Sequence, residues 1–128
     1  MTIGIIDSTV VIHLYRKYSP AINWAKSLTT PLDITTISWL EVIVGAPSKT
    51  GLMTCKVIMS QFNLIHLTIS DQEWAIEQLE KYRLSHGIGL NDCLIASIAF
   101  RLQVPIYTHN LKHMELLLGK HLVIQPYT

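Results

Sequence analysis

The chain has 128 residues, of which 49% are hydrophobic and only 15% charged, with a formal net charge of +1. That length fits a single domain, 1–128, with enough apolar residues to fill a core. The near-zero charge excludes a global basic field for steering nucleic acid, so any phosphate binding has to be local or carried by a metal, and no run of 18 apolar residues is present to suggest a membrane span.

Strand-like and helix-like segments alternate along the chain. Residues 2–6 are short, β-branched and apolar and read as a buried strand. Residues 9–18 and 20–28 read as helices, the second opened by Ser19-Pro20, a cap with proline at the first helical position. Residues 33–37 read as a second strand, followed by a helix from Ser38 to Val44 that Gly45-Ala46-Pro47 breaks. A helix over 49–61 and a strand over 63–68 come next. Ser70 and Glu73 have capping-box spacing, and the helix behind them carries Ala75, Leu79 and Tyr82 on one face, with Glu77 and Lys81 as an i,i+4 pair. Gly87 and Gly89 punctuate before an apolar helix over 91–103, with Leu94, Ile95, Ile98, Ala99 and Leu102 on its inner stripe. Residues 105–108 form a fourth strand. A short helix to Leu118, stopped by Gly119, leads to a fifth strand over 122–124.

Continuously apolar strands between helices predict an α/β fold: a three-layer α/β/α sandwich around a mostly parallel sheet of about five strands. In such sheets, sites form beyond the carboxyl ends of the strands. Three of the nine acids fall there. Asp7 follows the first strand, Glu41 lies in the helix after the second, and Asp92 opens the helix leading into the fourth. Asn110 lies two residues past Thr108. A carboxylate in an apolar stretch is costly to bury without compensation, and three together suit a hard cation, Mg²⁺ or Mn²⁺.

Each acid also has a structural alternative. Asp7 is a good N-cap, Ser38 and Glu41 have capping-box spacing, and Asp92 in a first turn offsets the helix dipole. His109 and His113 have the i,i+4 spacing of a zinc pair, but no third nitrogen or sulfur ligand is placed by sequence. Cys55 and Cys93 have no metal-type spacing and read as reduced, buried thiols of a cytoplasmic protein. The amino terminus shows neither the basic region nor the cleavage site of a signal peptide.

Four segments in order resemble the motifs of PIN-domain ribonucleases, chiefly the VapC-type toxins of toxin–antitoxin pairs. They are Asp7-Ser8-Thr9-Val10-Val11-Ile12, Ser38-Trp39-Leu40-Glu41-Val42, Gly89-Leu90-Asn91-Asp92-Cys93-Leu94-Ile95-Ala96, and Tyr107 to Met114. The resemblance implies a PIN-like fold and a metal-dependent endoribonuclease, homodimeric and restrained by a small antitoxin. By position it makes Asp7, Glu41 and Asp92 the metal-binding acids. Asn110 takes the fourth acidic position in the catalytic set, and Thr9 the place of a polar helper. His109, Lys112, Arg16 and, through phosphate, Thr9 are the candidates to meet RNA. The amide at 110 adds no negative charge, so the set suits one ion better than two at ~3.5–4 Å.

Two rival readings are open. In one, the scaffold is a catalytically weak or inactive protein-binding module whose acids are caps. In the other, it is a receiver-like phosphotransfer domain, which wants a pair of acids at the first strand where this chain has only Asp7.

Overall fold

The computed structural model describes residues Met1–Thr128. Five parallel strands form one sheet, β1 (Ile5–Ile6), β2 (Asp33–Thr35), β3 (Asn63–Ile65), β4 (Ile106–Tyr107) and β5 (Val123–Ile124), in the order β3-β2-β1-β4-β5. Every pairing is parallel, so the expected mostly parallel sheet is fully so. β1 lies at the centre, with Ile5 opposite Asp33 on one side and Ile106 on the other.

The strands are shorter than the apolar runs that predicted them. Ile5 N–H still reaches the carbonyl of Pro105 at 3.0 Å. Proline has no N–H to return, so regular β1–β4 pairing ends there. Gly4 lies just before β1 because the backbone passes so close to its neighbours. A Cβ there would stand 2.8 Å from Tyr107 and 3.1 Å from Leu32.

The seven helices are α1 (Ser8–Tyr15), α2 (Ser19–Ser27), α3 (Thr36–Gly45), α4 (Lys49–Met59), α5 (Ile69–His86), α6 (Leu90–Leu102) and α7 (Leu111–Leu118). Adjacent strand residues point to opposite faces, and β1 divides the core accordingly. Ile6 packs with Val10, Val11, Ile34, Val42, Cys55 and Met59 under α1, α3 and α4. Ile5 packs with Ile88, Ile95, Ile98, Ile106 and Met114 under α5, α6 and α7. Both isoleucines are fully buried, each contributing roughly 1.5–3 kcal/mol of burial free energy. Cys55 and Cys93 are both free and buried, as expected.

Three helix starts differ from the sequence reading. The capping box of α5 is Thr68 with Asp71, two residues before the expected Ser70 and Glu73. Asp71 wins that position because it also accepts two bonds from Arg101 on α6, at 2.8 and 3.1 Å, whereas Glu73 faces solvent. α3 begins at Thr36 with Thr35 as its cap, the Thr35 hydroxyl accepting from Ser38 N–H at 3.1 Å. Glu41 therefore lies beyond the first turn and caps nothing. At α2 the cap position is Tyr18 and no side chain fills it. Lys81 lies over the Tyr82 ring, 5.1 Å from its centroid, and makes no ion pair with Glu77.

Candidate metal and catalytic site

The carboxyl ends of β1 and β4 bring Asp7 and Thr108 side by side. Asp7 is 3% exposed and its carboxylate is gripped from two directions. Oδ1 accepts from Ser8 N–H at 2.7 Å, closing the start of α1, and Oδ2 accepts from the Thr108 hydroxyl at 2.7 Å. Asp7 is thus a helix cap and a member of the rim at once. The Ser8 hydroxyl bridges onward, donating to Glu41 Oε1 at 3.3 Å, and Asn91 donates its amide to Glu41 Oε2 at 3.2 Å. Asp92, next to Asn91 in the first turn of α6, accepts from His113 Nδ1 at 3.1 Å. The three acids named from sequence therefore share one rim, joined by Ser8, Asn91, Thr108 and His113.

This rim is electrostatically strained. Burial pushes the Asp7 carboxyl above its ordinary range, and the charge of Asp92 pushes it further, against the bonds from Thr108 and Ser8. Glu41 is raised likewise by burial, then by Asp7 and Asp92, against the bonds from Asn91 and Ser8. Neither acid has a cationic partner. Asp71 shows the contrast. Burial raises it too, but the bonds from Arg101 and Thr68 prevail and hold it below the usual carboxylate range.

The donor set fits a divalent hard cation, because all three acids offer oxygen and two lack any positive neighbour. The ligands are not gathered in advance, however. No group of three or more His, Cys, Asp or Glu side chains stands ready to hold a metal. Each carboxylate rests instead on its hydroxyl, amide or imidazole partners.

The remaining sequence candidates divide. Asn110 is tied to the rim through its backbone: its N–H donates to the Thr108 hydroxyl at 2.9 Å, the same hydroxyl that holds Asp7. Its side chain makes no capping bond. The Thr9 hydroxyl accepts from His109 N–H at 3.3 Å. The His109 ring turns to the end of the chain, with Nε2 against the Tyr127 carbonyl at 3.0 Å and Nδ1 buried without a partner. His13 Nδ1 meets the Tyr127 hydroxyl at 2.8 Å, and burial, with the charge of Tyr18, pushes that phenol up to about 12. His109 and His113 thus face different partners and do not form a zinc pair. Lys112 is exposed on α7, and Arg16 lines a cavity with His13, Lys17 and His109.

Sequence reasoning passed over Ser8, Asn91 and the His113–Asp92 bond. Ser8 and Asn91 carry no signal beyond standing next to a singled-out acid. The His113 bond spans 21 residues, and only the packing of α7 against α6 makes it.

No protein-family model matches the sequence, and no curated protein matches it. Solved structures do match in fold. A chain of a toxin–antitoxin complex from Klebsiella pneumoniae superposes with a TM-score of 0.78 at 23% identity, over 97% of this chain and 98% of that one. A chain of DNA-bound VapBC from Salmonella typhimurium gives 0.77 at 21% identity, over 93% and 95%. Mycobacterium tuberculosis VapC20, a toxin that cleaves the sarcin–ricin loop, gives 0.71 at 10% identity, over 88% and 94%. The protein has the PIN-like α/β/α fold of VapC-type toxins.

Proposed function

We propose, from that fold and this rim, that the protein is a metal-dependent endoribonuclease, the toxin of a toxin–antitoxin pair. Its substrate is RNA, its cofactor Mg²⁺ or Mn²⁺, its partner a small antitoxin, and its working form a cytoplasmic homodimer. The observation that carries the reading is the pair of acids without positive partners, Asp7 and Glu41, beside Asp92 at the strand ends. Such carboxylates are expensive to keep, and the cost is explained if a cation occupies the rim in the working protein.

Asp7, Asp92 and Glu41 would hold the ion. When bound, it supplies Lewis acidity, activating water and offsetting charge that gathers on the scissile phosphate. The protein's own residues set the geometry. Thr108 and Ser8 N–H fix both oxygens of Asp7, Asn91 and Ser8 aim Glu41, and His113 aims Asp92. Asn110 acts through Thr108 and Thr9 steadies the turn at His109, which leaves Lys112 and Arg16 as the predicted substrate residues open to RNA. The test is a fluorogenic RNA-cleavage assay with Mg²⁺ or Mn²⁺ and with neither. Wild type should cleave only with metal, and Asp92→Asn should lose at least a hundredfold in rate with its fold intact. Wild type that cleaves no RNA and binds neither metal ends the proposal.

Two observations favour a second reading, a protein-binding module. Asp7 does cap α1, and the helix carrying Glu41 exposes Leu40 and Val44, at 55% and 86%. That reading expects Mg²⁺ to leave the melting temperature unchanged.

A further inference from the structure

The acidic rim has a cationic neighbour. A cavity of about 380 Å³ lies between the end of α5 and α7, lined by His86, Lys112, His113, Glu115, Gly119 and Lys120 among others. It adjoins the acids directly, because its lining residue His113 is the one bonded to Asp92. Lys112 and Lys120 are exposed and neither is in an ion pair. Glu115 is the single acid of the lining. In a chain of net charge +1, two lysines against one glutamate leave a local positive excess of one beside two imidazoles, of the kind a phosphate needs.

Resting on the nuclease reading, we propose that this cavity is a phosphate subsite for single-stranded RNA. A backbone phosphate flanking the scissile one lies against Lys112 and Lys120, and His113 belongs to both sites, donating to Asp92 with one nitrogen while its ring lines the cavity. Lysines serve here as point charges toward a backbone and read no bases.

The experiment is the salt dependence of binding of a fluorescein-labelled single-stranded RNA, measured without divalent cations so that no cleavage occurs. The Lys112→Gln/Lys120→Gln double variant is compared with wild type and with Lys26→Gln/Lys49→Gln, which lies on α2 and α4. The first pair should weaken binding about tenfold or more at low salt and flatten the log–log salt slope by about one unit, as the loss of one to two phosphate contacts requires. The second pair should track wild type. A second readout is a titration with inorganic phosphate, followed by the imidazole NMR signals of His86 and His113, which should move in wild type and not in the Lys112/Lys120 variant. RNA binding identical in all three proteins overturns the subsite and leaves the nuclease reading standing. Wild type that cleaves no RNA while phosphate still moves those signals overturns the nuclease reading and supports the anion site. Signals that stay fixed in wild type overturn the subsite.

Discussion

At the scale of single residues, Asp7 and Glu41 are held by short polar side chains that satisfy them without neutralising them. Asp7 illustrates this, since both its oxygens are bonded and its charge is unpaired. Asp7→Asn keeps an oxygen for the Ser8 amide, so stability should change by about 1 kcal/mol or less, while metal-dependent cleavage is lost; chemical denaturation and the RNA assay on the same preparation check both. The raised carboxyls of Asp7 and Glu41 also set a pH dependence. A folded-state pKa above the unfolded one means that the native state holds its proton more tightly. Their contribution is fully present below the unfolded values, 3.8 and 4.5, and is lost as pH rises through the raised folded ones. Metal-free protein should therefore lose part of its stability on going from about pH 4 to neutrality, and Asp7→Asn should flatten that fall. A slope of unchanged size in the variant would show that Asp7 carries no such strain. Asp7 and Asp92 were legible as candidates for the rim because each is a lone acid beside an apolar run. Ser8, Asn91 and His113 were not, because a serine, an asparagine or a histidine is ordinary anywhere.

At the scale of elements, helix starts are decided by tertiary partners. Thr68-x-x-Asp71 and Ser70-x-x-Glu73 satisfy the same local pattern. The choice fell to Asp71 because Arg101, thirty residues on, reaches it. This pair clamps the start of α5 to the end of α6, with Asp71 1% exposed. Removing Arg101 leaves that carboxylate buried and unpaired. Arg101→Ala should then cost about 2–3 kcal/mol, measured by denaturant unfolding at neutral pH, and the loss should shrink as pH falls through the Asp71 pKa. The Glu41 reading turned on the same point. Ser38 looked like a cap in sequence, but Thr35 starts α3, and Glu41 is released from capping to face Asp7.

At the scale of the whole molecule, the sheet order β3-β2-β1-β4-β5 places the central strand between two neighbours whose ends carry the rim. If that rim takes a divalent ion, Mg²⁺ at a hundred times its dissociation constant adds about 2.7 kcal/mol, enough to raise the melting temperature by several degrees in a chain of this size. Differential scanning should show that rise in wild type and not in Asp92→Asn, and no rise in either would favour the protein-binding reading. The alternation of apolar runs with helical segments already specified an α/β sandwich, because strands buried on both faces read as continuous apolar runs. Acids at the strand ends were likewise visible, since their cost is local. Which hydroxyl holds which carboxylate, which of two capping boxes forms, and the bond from His113 to Asp92 were settled only by packing. Each of these joins residues distant in the chain, and a linear pattern carries no record of distance in space.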